Sequence, residues 1–298
     1  MILKDYRIAI ASGKGGTGKT MVAVNLMYAI KDIMDGKIQL IDCDVEEPNI
    51  NIFTKGSFDY KKNVSIKIPE INTDKCIYCG KCAEYCAYNA IIFVKSIPYI
   101  AVMEDLCHGC GACSYACETE DAITEKNHVL GTVSKYNISD KTELIEGRIK
   151  VGNALAVPVI KAVKKESEKN ALVIYDSPPG TSCPVIETVN DVDYVILVTE
   201  PTPFGVNDLK LMVETVKKLG KKMGVVVNRV GLGSDDLYDY LNAENIEVLM
   251  KIPFDKKIAG IYSEGKILVD EIPGLKQEFM DLFKKIHIII IDETNNNN

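Results

Sequence analysis

The sequence predicts an α/β fold: a doubly wound, mostly parallel sheet interrupted by a small cysteine-rich insert of α+β type. Three observations predict it. Short apolar runs of about five residues recur with helical patterns between them, which suits strands buried on both faces of a parallel sheet. A glycine-rich loop joins the first of these runs to the first helical pattern. Eight of the ten cysteines fall between Cys76 and Cys117, where the α/β rhythm stops.

The elements follow in order. Tyr6 to Ala11 is the first apolar run, and Ser12 to Gly18 is the glycine-rich turn. The next helix carries Val22, Leu26, Ala29, Ile30 and Ile33 on one face and stops at Asp35-Gly36. Lys37 to Ile41 is the second strand. Residues 55–70 are polar and mixed, with a weak alternation at Val64 to Ile68. The cysteine segment ends near Thr124, and a charged stretch leads to a helix-like segment from Gly152. The rhythm then resumes at Ala171 to Tyr175, Tyr194 to Thr199 and Met223 to Val227, with a helical pattern over Leu209 to Leu219. Ile246 to Ile252 reads as the last strand and Leu275 to Ile286 as an amphipathic helix. The expected organisation is an α/β domain in two parts, 1–68 and 127–294, an insert over 69–126, and a disordered tail over 295–298.

The 298 residues are enough for one or two domains of about 150 each. A formal charge of −7 argues against nucleic acid as a partner. No run of about 18 apolar residues is present, so no membrane span is expected. The first residues lack the apolar stretch of an export signal. Cysteines crowded into one segment of such a chain read as metal ligands in a reducing cytoplasm rather than as disulfides. The expected location is cytoplasmic.

Gly13-Lys14-Gly15-Gly16-Thr17-Gly18-Lys19-Thr20 fits G-x-x-x-x-G-K-[ST] between a strand and a helix. Gly13, Gly15, Gly16 and Gly18 let the backbone wrap phosphates without a Cβ clash. The N–H groups from Thr17 onward and the helix N-terminus attract the anion. Lys19 reaches the terminal phosphates of ATP, and the Thr20 hydroxyl binds Mg²⁺. Asp176, ending an apolar strand, stands where α/β sheets place ligands and would hold Mg²⁺ through water. Asp44 is the candidate to orient the attacking water, with Asp42 beside the metal.

Lys14 to Thr20 resembles the deviant phosphate loop of the MinD/ParA/Mrp/nitrogenase-iron-protein superfamily. Asp42-Cys43-Asp44 looks like its switch I, and Asp176 to Thr181 like its Walker B and switch II. Asn228 is similar to its adenine-contacting Asn, and Ile252-Pro253 to a second base contact. The resemblance covers roughly residues 5–60 and 150–265. It implies an ATPase in which Lys14 reaches across a nucleotide-sandwich dimer, either a homodimer or a heterodimer with a paralogue.

In the insert, C-x2-C-x2-C-x3-C occurs at Cys76 and again at Cys107. Ala90-Ile91 after the first copy is echoed by Ala122-Ile123 after the second. This is the spacing of a bacterial-type ferredoxin with two [4Fe–4S] clusters, in which the fourth cysteine of each run serves the other cluster. Cys76, Cys79, Cys82 and Cys117 would hold one cluster; Cys107, Cys110, Cys113 and Cys86 the other. Four-cysteine zinc sites use two pairs across a longer gap instead. Ala87 and Glu118 stand where proline usually follows the fourth cysteine. His108 reads as a neighbour of a cluster, not a ligand. Residues 71–126 hold four Lys or Arg against eight Asp or Glu, a net −4, which favours a low potential.

Cys183 falls where the nitrogenase iron protein places a ligand of its subunit-bridging cluster. It is the candidate for such a site, set against a plain buried thiol. Cys43 reads as a core residue. The C-terminal helix is expected to pack on the sheet rather than target a membrane. Three functions follow. One is an ATP-gated electron donor to a protein acceptor. A second is an iron–sulfur assembly or carrier ATPase of Mrp type, whose C-terminal C-x-x-C is absent here. The third is a redox-sensing regulatory ATPase of MinD/ParA type.

Overall fold

The computed structural model describes residues 6–296, with side chains through 291. The chain divides into two compact units: Met1–Lys61, Val133–Arg148 and Ile160–Asn298 form one, Lys62–Thr132 and Ile149–Val159 the other. The second takes in residues 69–126, the strand ends on either side of them, and the stretch from Ile149 into the next helix.

In the first unit, β1 (Tyr6–Ala11) leads through the glycine-rich loop into α1 (Lys19–Ile30), followed by β2 (Lys37–Asp42). β3 (Ser57–Ile71) leads out of this unit. In the second unit come α2 (Lys81–Glu84), β4 (Ile91–Val94), β5 (Tyr99–Val102) and α3 (Ala112–Ala116). β6 (Ile123–Ser139) leads back, and β7 (Thr142–Ile149) follows. Then come α4 (Ala156–Lys164), β8 (Ala171–Asp176), α5 (Cys183–Val189), β9 (Tyr194–Thr199), α6 (Pro203–Lys218) and β10 (Lys222–Val230). The chain ends with α7 (Asp236–Ala243), β11 (Val248–Pro253), α8 (Lys256–Ser263), α9 (Leu268–Glu271) and α10 (Leu275–Asn296).

One nine-stranded sheet has the order β11-β10-β9-β1-β8-β2-β7-β6-β3. β1 pairs in parallel with β8 and β9, β2 with β8 and β7, and β10 with β9 and β11. The α/β expectation therefore holds. The charged stretch after Thr124 is not irregular: it forms β6 and β7, joined by the two residues Asp140 and Lys141. Its core-facing residues, such as Leu130, Val133 and Leu144, are scattered among charges and hide the period.

Burial explains α1. Met21 to Ile30 are all buried, so the helix has no solvent face. Its core includes Phe279, Leu282, Phe283 and Ile286 of α10. A helix that is apolar all round is a buried helix. Ile33 lies beyond its end and is exposed, contrary to its expected place on the face. α10 packs into the same core, as its stripe predicts. It runs on to Asn296, so Asn295 and Asn296 are helical rather than tail, while Asn297 and Asn298 lie outside the described residues. Among the described residues no helix is long and apolar enough to cross a membrane.

In the second unit, β4 and β5 form an antiparallel hairpin from Ile91↔Val102 to Val94↔Tyr99. Its small core consists of Ile91 and Ile100 with Cys82 and Cys113, and of Ile68 and Ala90 with Cys107. The sequence repeat is also a backbone repeat. Tyr78 and Gly109 both have positive φ, as do Gly80 and Gly111, at the same offset of 31 that separates the cysteine runs.

Candidate functional site

Parallel strands bring their C-terminal ends to one end of the sheet, where the glycine-rich loop follows β1 and where Asp42 and Asp176 end β2 and β8. The loop after β1 needs Gly13: a Cβ would lie 2.3 Å from the Asp208 carbonyl oxygen of α6. Ser12 donates its hydroxyl to the Lys14 carbonyl at 2.6 Å and shapes the turn. Lys19 and Thr17 are buried, while Gly15 and Gly16 are exposed at the loop tip.

Thr20, in the first turn of α1, donates to Asp176 Oδ2 at 2.6 Å. Asp176 Oδ1 is buried without a partner. Burial raises the Asp176 carboxyl to about 7, against the Thr20 hydrogen bond and the Lys19 charge, which lower it. A buried carboxylate with one unused oxygen beside a threonine hydroxyl fits a divalent cation such as Mg²⁺, whose ligands are oxygens.

Asp42 lies level with Asp176 on the neighbouring strand. Its carboxylate accepts from the backbone N–H of Asp44 (3.1 Å), Asn49 (3.1 Å) and Ile50 (3.3 Å). Burial, then the Asp176 charge, pushes Asp42 well above the usual carboxylate range. Asp42 therefore sets the 43–50 turn and so places Asp44. Asp44 is half-buried; burial raises its pKa, and Lys19 pulls it back.

Beside the loop lies an open pocket whose lining includes Gly18, Asn228, Arg229, Pro253, Phe254 and Tyr262. Asn228 and Pro253 both line this pocket. Asn228 donates to the Thr17 carbonyl at 2.7 Å and so also braces the loop. The sequence reading missed Arg229, Phe254 and Tyr262. The only signal for Arg229 and Phe254 was adjacency to Asn228 and Pro253; for Tyr262, near the end of α8, there was none.

Two further hollows lie in the cysteine-rich unit. One is lined by Cys76, Cys79, Cys82 and Cys117. The other is lined by Cys86, Cys107, Cys110 and Cys113. Each therefore takes three cysteines from one run and the fourth from the other. Backbone N–H groups of Tyr78, Ala90 and Gly109 point at the sulfurs of Cys76, Cys86 and Cys107 at 3.3–3.5 Å. Burial pushes the free Cys82 thiol up to about 11 and raises Cys107 and Cys113. A Cβ on Gly80 would meet the Phe93 ring at 2.6 Å, and one on Gly109 the Lys67 carbonyl at 2.8 Å. His108 stacks on Tyr88 with ring centroids 3.7 Å apart, at the rim of the second hollow. Among the described residues, no group of three or more His, Cys, Asp or Glu forms a site for a metal ion.

Of the two remaining cysteines, Cys43 is fully buried and Cys183 is exposed at the start of α5. Cys183 stands alone there, with no other cysteine in its element.

The model of the CobQ/CobB/MinD/ParA nucleotide-binding domain matches residues 8–269. An uncharacterized protein of Methanocaldococcus jannaschii is 35% identical over 266 residues, 87% of this chain and 90% of that one. An iron–sulfur cluster carrier protein of the same organism is 26% identical over 297 residues, 94% of this chain and 83% of its own length. Among solved structures, the septum site-determining protein MinD of Pyrococcus horikoshii, complexed with Mg-ADP, superposes with a TM-score of 0.55. It is 19% identical, and the match covers 94% of this chain and 95% of that one.

Proposed function

The chain belongs to the CobQ/CobB/MinD/ParA nucleotide-binding family, and within it we propose an Mg-ATP-hydrolysing dimeric switch that couples turnover to electron transfer through two [4Fe–4S] clusters to a protein partner. The observation that carries the cluster half is the division of eight cysteines between two hollows, four to each. A single zinc ion would gather its thiolates to about 2.3 Å from one centre. A [4Fe–4S] cluster takes one cysteine at each of its four irons, and the duplicated three-plus-one spacing supplies four to each hollow.

In this reading Lys19 and the loop N–H groups of Gly13 to Gly18 bind the phosphates. Thr20 and Asp176 hold Mg²⁺, and Asp44, placed by Asp42, orients water. Asn228 and Pro253 receive the base. Lys14 meets the phosphates of the partner subunit. The clusters, when bound, would supply one-electron chemistry at low potential. The Tyr78, Ala90 and Gly109 N–H groups stabilise the thiolates, and Gly80 and Gly109 let the backbone close in around each hollow. The ferredoxin unit is assigned to 69–126.

A second reading, an iron–sulfur carrier, is favoured by the M. jannaschii relative of that name. Anaerobic purification and iron counting with and without Cys183→Ala separates the two. About eight iron atoms per chain, unchanged in the variant, supports the electron-transfer reading. Labile iron beyond eight, lost in the variant and transferable to an apoprotein, supports the carrier and a cluster bridging two Cys183 residues. Bound zinc with no iron–sulfur EPR signal would sink both.

A further inference from the structure

At the C-terminal end of β9 stands a charged group that the reading above does not use. Glu200 follows Thr199, and its side chain is only 7% exposed. Its Oε1 meets Lys14 Nζ at 3.0 Å, and its Oε2 meets Arg229 Nη1 at 3.0 Å. Arg229 also donates from Nη2 to the Gly16 carbonyl, inside the phosphate loop, at 3.2 Å. Arg229 has φ of 56°, a conformation rarely held by a side-chain-bearing residue unless its surroundings impose it. The backbone at Glu200 is tied as well, since the Thr202 N–H donates to its carbonyl at 2.8 Å.

Two cations on one buried carboxylate make an asymmetric arrangement. Arg229 is held at both the carboxylate and the loop. Lys14 meets the carboxylate through one ammonium contact and is 32% exposed. If Lys14 departs, Arg229 still neutralises Glu200, so release does not strand a buried charge. In the dimer proposed above, the terminal phosphate bound by the partner subunit is then a direct competitor of the Glu200 carboxylate for the Lys14 ammonium.

We propose that Glu200 is an internal phosphate surrogate: it holds Lys14 in the nucleotide-free chain and yields it to the terminal phosphate of a nucleoside triphosphate. The proposal rests on the nucleotide-binding reading above. It makes Glu200 a positioning residue that acts through Lys14 and sets the discrimination between triphosphate and diphosphate. A diphosphate leaves the Glu200–Lys14 pair intact; a triphosphate exchanges it for a phosphate contact.

The test compares wild type, Glu200→Gln, Lys14→Ala and the double variant for binding of Mg-ADP and of a non-hydrolysable ATP analogue with Mg²⁺. Removing the competing charge should tighten the triphosphate about tenfold, the scale of one charge-assisted hydrogen bond, with ADP unchanged. In the Lys14→Ala background the gain should vanish. Glu200→Asp, which keeps the charge but shortens its reach, should shift the ratio in the same direction and carries the test if Glu200→Gln does not fold. A gain that persists without Lys14, or an equal shift for both nucleotides, overturns the latch. Wild type that binds neither nucleotide sinks the underlying reading and the latch with it; wild type that binds both while Glu200→Gln is unresponsive sinks the latch alone.

Discussion

Thr20 donates its hydroxyl hydrogen to Asp176 Oδ2 at 2.6 Å, which ties the first turn of α1 to the end of β8, while Asp176 Oδ1 stays buried without a partner. Half of the carboxylate is used by the fold and half is unused. If the unused half faces a cation, Asp176→Asn should lower nucleotide affinity about 10- to 100-fold in Mg²⁺, the usual loss when an orienting partner of a metal site is removed. Affinity in EDTA should barely change. Calorimetric titration of ATP with and without Mg²⁺ checks this, and an equal loss in both buffers would count against a metal role.

The second prediction concerns the loop brace. Asn228 Nδ2 donates to the buried Thr17 carbonyl at 2.7 Å. Asn228→Ala leaves that carbonyl unsatisfied at a cost of about 1–3 kcal/mol. Because the loop is the phosphate site, we expect about tenfold weaker binding of ADP and ATP alike. Unchanged affinity would show that the loop keeps its shape without the brace.

These two sites differ in how far the sequence discloses them. The spacing of Gly13 to Thr20 shows the loop because each position has a backbone duty that few residue types can perform. Asp176 shows because it ends a fully apolar run. Arg229 and Tyr262 do not show: they enter the pocket through a left-handed residue and a helix turn, neither of which leaves a periodic trace. β6 and β7 were hidden for another reason. Leu130, Val133 and Leu144 are buried, but the strands around them carry charges such as Glu143 and Glu146, which are buried in polar networks.

Glu143 provides a pH prediction from such a network. It accepts from Gln39 at 3.0 Å and pairs with Lys37 at 2.6 Å and Lys135 at 2.9 Å. Burial alone would raise its carboxyl, but the two ammonium groups and the amide outweigh burial and hold it below its ordinary value. The unfolded chain then binds the proton more readily than the folded one. The contribution is present above the ordinary glutamate range and fades as pH falls through the depressed value. Glu143→Gln should cost about 2 kcal/mol at pH 7. The gap to wild type should close as pH falls below the ordinary glutamate range, as read from urea midpoints at neutral and acid pH. A gap of constant size would mean that packing, not charge, is at stake.

The two outlying cysteines should separate by reactivity. Cys43 is fully buried, and burial raises its thiol strongly. Cys183 is exposed. In anaerobic protein with its metal retained, one thiol per chain should react promptly with an alkylating reagent, and Cys183→Ser should abolish that reaction. Cys43 should react only on unfolding. Mass spectrometry of peptides reads both. Slow labelling of Cys183 in the native protein would show that something covers it, as a bridging site would.

The crossed sharing of the fourth cysteines makes the most discriminating prediction. Cys117 lines the hollow of Cys76, Cys79 and Cys82, and Cys86 lines the hollow of Cys107, Cys110 and Cys113. If each hollow holds one cluster, a pair of substitutions in the same hollow disables one cluster, while a pair split between hollows disables both. Cys76→Ala with Cys117→Ala should therefore retain about four iron atoms per chain, and Cys107→Ala with Cys117→Ala should retain almost none. If each C-x2-C-x2-C-x3-C run instead closed on its own cluster, the two results would exchange places, because Cys107 and Cys117 belong to one run and Cys76 and Cys117 to different ones. Iron counting alone tells the two arrangements apart. The low-temperature EPR of the four-iron variant should then show a single cluster free of the splitting that a second paramagnet nearby would impose.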